Sequence, residues 1–143
     1  MHLEPAPPRA PQLIVGAAII ADGRVLACQR SGPPEMAGRW EFPGGKVEPG
    51  ETDAAALIRE CREELRVAVR VGEQVGRDIS IANGHGILRV YTAWLTDDAA
   101  PQPIEHSALR WLAPDELDDV PWLPADTPVV AALAPLLTAE APQ

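Results

Sequence analysis

The chain has 143 residues, 46% of them apolar, and 12 basic against 21 acidic side chains for a net charge of −9. That length suits one hydrophobic core rather than two, and that charge repels a polyanion at long range, which excludes nucleic acid polymers as expected partners. The longest apolar run, residues 13–20, is too short to span a bilayer, and no basic stretch followed by an apolar core marks a signal peptide.

Residues 1–12 carry Pro5, Pro7, Pro8 and Pro11 and no apolar period, so they are expected to be a flexible tail. One domain over residues 13–138 and a short tail over 139–143 complete the chain. Residues 13–21 and 24–29 predict a hairpin, because Asp22-Gly23 between apolar runs favours a type I′ turn. Residues 31–39 read as a loop, residues 40–42 as a short extended piece ended by Pro43-Gly44-Gly45. Residues 52–65 predict the clearest helix. Thr52 is its expected N-cap, and Ala54, Leu57, Ile58, Cys61 and Leu65 form its apolar stripe. Strands are expected at 67–71, 79–81, 87–95 and 109–112, a helical turn at 115–117 and a last helix over 126–137. Strands outnumber helices in mixed order, which predicts an α/β sandwich with a mixed sheet. Cys28 and Cys61 lie in apolar patterns without ligand-pair spacing, as reduced core thiols of a cytoplasmic protein would.

Glu60, Glu63 and Glu64 fall within a sector of roughly 100° on the predicted helix, away from the centre of its apolar stripe. Alone, three such glutamates describe a solvated acidic face. The glycines just upstream change the balance, since small residues let backbone carbonyls approach a ligand. Clustered oxygen ligands suit Mg²⁺ or Mn²⁺, hard cations that also bridge phosphate oxygens. Arg59 is placed to pair with Glu51 and fix the loop against the helix.

The pattern Gly45-x5-Glu51-x7-Arg59-Glu60-x-x-Glu63-Glu64 resembles the Nudix box. Two positions depart from it: Cys61 replaces a large aliphatic residue, and Arg66 stands where the family has glycine. Glycine there relaxes a left-handed helix cap, so Arg66 implies about 1 kcal/mol of strain or another cap. Residues 40–46, Glu105-His106 and residues 122–126 are similar to MutT-like nucleoside triphosphate pyrophosphohydrolases, in the branch acting on CTP or 8-oxo-dGTP. The resemblance implies the family's α/β/α sandwich and metal-dependent hydrolysis of a nucleoside triphosphate to monophosphate and pyrophosphate. It implies that Glu60, Glu63, Glu64, Glu105 and the Gly44 carbonyl bind Mg²⁺, with Mn²⁺ as substitute and Glu60 as candidate general base. Arg30 and Lys46 are implied to contact phosphates.

Asp126 matches a base-reading position, with Trp122 and Leu123 as candidate walls. An ionised Asp126 accepts hydrogen bonds only, which favours the cytosine amine, while Thr127-Pro128 after it also suggests an N-cap. Trp122 and Leu123 fit packing under the last helix equally well. His85 and His106 show no ligand pairing and receive no role. The partner expected is a small nucleotide, the assembly a monomer or homodimer. An ADP-ribose-cleaving enzyme and a catalytically idle nucleotide-binding module are the competing readings.

Overall fold

The computed structural model describes residues 10–139. The expected tails fall mostly outside them, at 1–9 and 140–143; Gln12 already belongs to the first strand and Ala139 closes the last helix. β1 (Gln12–Ala21) and β2 (Arg24–Gln29) form the hairpin, and the φ values of Asp22 (53°) and Gly23 (73°) are both positive, as a type I′ turn demands. Along β1, Val15, Ala17 and Ile19 join one apolar cluster, whereas Ala18 and Ile20 join another on the opposite face. A strand buried on both faces needs cover on both.

β3 (Trp40–Glu41) and β4 (Gly44–Lys46) precede helix α1 (Asp53–Leu65), and β5 (Val69–Ile81), β6 (Gly86–Leu95) and β7 (Ala108–Leu112) follow it. α1 covers one face with Leu57, Cys61 and Leu65, and the closing helix α2 (Thr127–Ala139) covers the other with Val129, Leu133 and Leu137. The sheet is mixed: β1 runs parallel to β6 and antiparallel to β2 and β4, while β5 runs antiparallel to β6. β3 and β7 both pair antiparallel with β2. The result is the expected α/β/α sandwich.

α1 begins as its sequence indicates, with Thr52 Oγ1 accepting from the Ala55 N–H at 3.1 Å. Arg89 and Tyr91 of β6 hold Asp53 in the first turn. Its buried face, however, is rotated from the expected stripe: Ala56 and Glu64 are buried, and Ile58 is exposed. At about 100° per residue Glu64 lies only some 20° from Leu57, so one of the three acids points inward. Three further expectations are corrected. Gly44–Lys46 is a strand on β1, not the end of an extended piece. The strands at 67–71 and 79–81 are one strand, β5, whose bulges at Val71/Gln74 and Val75/Ile79 break the alternation without breaking the pairing. Asp126 does not open the last helix; it ends a 3₁₀ turn, Pro124–Asp126, and α2 starts at Thr127.

Candidate active site

β4 sets the backbone against α1. Val15 is the register partner of Gly45, and Ala17 and Val47 donate to the Pro43 and Leu13 carbonyls, so alternate residues bond β1. Gly44 turns its polar groups the other way, and its N–H donates to Glu64 Oε2 at 3.0 Å. Only glycine fits there, because a Cβ would lie 1.9 Å from the Val15 carbonyl oxygen. At Gly45 a Cβ would lie 2.4 Å from Glu60 Oε2. Gly44 thus lets the β1 backbone approach, and Gly45 leaves room for the Glu60 carboxylate.

Arg59 joins the loop to the helix. It grips both Glu51 oxygens, at 2.8 and 2.9 Å, bonds Glu60 at 2.6 Å and the Lys46 carbonyl at 3.1 Å, and reaches Glu63 at 3.5 Å. That bidentate pairing holds the Glu51 carboxyl down at about 2 and raises the Arg59 guanidinium further. Glu63 is the most exposed of the three helix acids.

The chain between β6 and β7 brings the remaining acid. Gln102 and Ile104 donate their N–H groups to the Leu65 and Glu64 carbonyls at the end of α1, and Ser107 donates to Gln29. The arm is therefore stitched to α1 and β2, and it carries Glu105 and His106 over Glu64. His106 Nε2 lies 3.0 Å from Glu41 Oε2 and 3.9 Å from Glu64 Oε1. Glu41 also receives Arg30 NH1 at 3.1 and 3.3 Å. Arg30, Glu41, Glu64, Glu105 and His106 line a cleft of about 170 Å³. A larger hollow, about 370 Å³, lies at the turn end of β1 and β2 beside Trp111 and holds none of these residues.

Glu64 is only 6% exposed, and burial, then the Glu60 and Glu105 charges, push its carboxyl well above the ordinary range. Buried like charges are costly unless compensated, and a hard divalent cation compensates them with the ligand type it prefers. The donor set fits such an ion. Among the described residues no three side chains already gather as a finished ligand set: Glu60 is engaged by Arg59 and Glu64 by Gly44.

The other candidates separate. Arg30 lines the cleft, tied to Glu41, rather than standing as a solvated edge charge. Lys46 is exposed on β4 and forms no ion pair among the described residues. Trp122 goes to the core: it packs on Phe42 at 4.9 Å between ring centroids, and its indole N–H donates to the Leu117 carbonyl at 2.7 Å. Leu123 is half-buried and donates its backbone N–H to Trp40. Asp126 is 4% exposed, and burial, then the Glu41 charge, raise its carboxyl to about 8 against the pull of Arg30. Burial therefore favours its neutral form, where the sequence led us to expect an ionised acceptor. Glu41 and His106 were missed as site residues. Their sequence signal was placement alone: Glu41 beside the glycines, His106 beside Glu105.

A glutamate-bearing helix packed on a glycine strand, with a fourth acid on a crossing arm, defines a class of small α/β/α hydrolases. The chain belongs to the NUDIX family and is a hydrolase of it, matching the NUDIX domain over residues 10–133. It is 47% identical over 133 residues to a Mycobacterium tuberculosis protein whose name includes 8-oxo-dGTP diphosphatase 2, covering 91% of this chain and 93% of that one. It is 41% identical over 128 residues to the CTP pyrophosphohydrolase of Escherichia coli, covering 88% and 93%. The solution structure of the E. coli ORF135 protein superposes with a TM-score of 0.75 at 38% identity, over 92% of this chain and 94% of that one. A Burkholderia pseudomallei MutT NUDIX hydrolase superposes at 0.71 and 32% identity, over 87% and 99%.

Proposed function

We propose that this enzyme hydrolyses nucleoside triphosphates to nucleoside monophosphate and pyrophosphate with Mg²⁺, or Mn²⁺ in its place. Cytidine nucleotides (CTP, dCTP, 5-methyl-dCTP) are its favoured substrates and 8-oxo-dGTP a slower one. The observation that carries this reading is Glu64, buried against Glu60 and Glu105 beside the Gly44 backbone. Glu60, Glu63, Glu64 and Glu105 are the residues that would hold the ion, with the Gly44 carbonyl. When bound, it neutralises the polyphosphate and acidifies water, which lets a chain of net charge −9 accept an anionic substrate.

The chain's own groups supply the rest. Glu60, steadied by Arg59 and set against Gly45, is the candidate to take the proton of the attacking water. Arg30 and Lys46 meet phosphates, and Asp126 meets the base. Neutral Asp126 offers one donor and one acceptor, the complement of cytosine N3 and its N4 amine. The relatives named for CTP and 8-oxo-dGTP support this substrate range.

The test is pyrophosphate release with and without excess EDTA in the wild type, Glu63→Gln and Glu64→Gln, with one turnover in ¹⁸O-labelled water. Chelation and each substitution should abolish activity while the fold survives, since losing a charged ligand weakens transition-state binding by several kcal/mol. Label should enter one of the two expected products. Orthophosphate as primary product, or full activity in EDTA, overturns the proposal.

A further inference from the structure

We infer that His106 is a positioning residue, fixing the Arg30 guanidinium at the phosphate end of the cleft by way of Glu41. The inference rests on the reading that Arg30 meets phosphate. Glu41 is shared by two donors from different elements: Arg30 at the end of β2 and His106 on the arm before β7. Arg30 spends Nε on the Gly32 carbonyl at 3.0 Å and NH1 on Glu41, which leaves its second terminal nitrogen for a ligand. A carboxylate paired with a guanidinium accepts only, so Nε2 of His106 donates to it.

The other ring nitrogen, Nδ1, has no partner, the one such buried side-chain atom among the described residues. The side chain is 4% exposed, so this is a cost. A ring kept for packing would be better replaced by an aliphatic group. The feature that accounts for an imidazole here is the Nε2–Glu41 bond. The arm itself does not depend on the ring, because Gln102, Ile104 and Ser107 anchor it through backbone bonds to Leu65, Glu64 and Gln29.

The experiment compares His106→Leu, His106→Gln and His106→Asn with the wild type by calorimetric binding of inorganic triphosphate with Mg²⁺, CTP kinetics and melting temperature. His106→Leu should melt no lower than the wild type, bind triphosphate roughly tenfold more weakly, and raise KM for CTP more than it lowers kcat. Gln, whose amide nitrogen reaches about as far as Nε2, should restore most of the affinity, whereas Asn should not. In an Arg30→Ala background His106→Leu should cause no further loss, because the two act in one chain. Undiminished triphosphate affinity in His106→Leu, additive losses with Arg30→Ala, or equal losses in the Gln and Asn variants overturns the inference; the last comparison decides if His106→Leu fails to fold. A wild type that binds triphosphate but cleaves no nucleoside triphosphate refutes the proposed function and leaves this inference to the binding data. A wild type that binds no triphosphate refutes the role of Arg30 and the inference with it.

Discussion

In the proposed base-reading role, one buried proton decides what Asp126 can read. Neutral, it would donate to one base atom and accept from another, which matches the N3 acceptor and N4 amine of cytosine. Ionised, it becomes a double acceptor and matches the N1–H and N2 amine of a guanine instead. Burial raises its carboxyl to about 8, so substrate choice should change around that pH. The ratio of kcat/KM for CTP to that for 8-oxo-dGTP should fall between about pH 7 and pH 9 in the wild type. Asp126→Asn fixes the donor–acceptor pair at every pH and should hold the ratio high. A bidentate contact is worth about 1–3 kcal/mol of discrimination, so the two proteins should diverge roughly tenfold or more at the alkaline end. Both face the same substrate ionisation, so dividing one profile by the other isolates Asp126. Parallel profiles would mean that the base is read elsewhere.

At the scale of elements, α1 ends on a residue its backbone does not suit. Arg66 adopts φ 60° and ψ 36°, and its N–H donates to the Arg62 carbonyl at 3.1 Å, a left-handed cap formed without glycine. The departure from the Nudix box is therefore taken as strain, not as a different cap. Its side chain is exposed and forms no ion pair among the described residues that would offset this. Arg66→Gly should stabilise the protein by about 1 kcal/mol and raise the melting temperature by roughly 3 °C, with kcat unchanged. A lowered melting temperature would show that Arg66 makes contacts outweighing the strain. Elements like this one were legible because their signals are local: a cap residue, an Asp-Gly turn, a box of fixed spacing. β4 was hidden because glycine carries no side chain to reveal alternation, and β5 was split because its bulges scramble the period of two. Glu64 was placed on the solvated sector because helical angles do not say how wide the buried face is. The Glu41–His106 contact joins residues 65 positions apart, and the arm's backbone bonds to α1 and β2 bring it about.

Across the whole molecule, the acid groups pull stability in two directions. Glu51 and Asp78 are held down at about 2 by Arg59 and Arg89, so their contribution is present above pH 4 and lost as pH falls toward 2. Both are partly exposed, and solvent screening keeps that loss modest. Glu64 and Asp126 act in the opposite sense. Their folded values are raised, so the native state binds more protons than the unfolded chain above about pH 4, and stability falls as pH rises. Because these two are buried, their effect is the larger. The metal-free protein should accordingly melt highest near pH 5 and progressively lower toward pH 9. A divalent cation held as proposed would bind the deprotonated carboxylates of the native state alone, so excess Mg²⁺ should raise the melting temperature more at about pH 8 than at about pH 6. Glu64→Gln keeps an acceptor for the Gly44 N–H but cannot ionise. It should remove the Glu64 share of the metal-free decline, leaving that of Asp126, and erase the Mg²⁺ response. The measurement is melting temperature across pH in EDTA and in Mg²⁺ for both proteins. A metal-free wild type that grows more stable toward pH 9 would mean that Glu64 and Asp126 ionise freely, and the compensation argument for the cation would lose its footing.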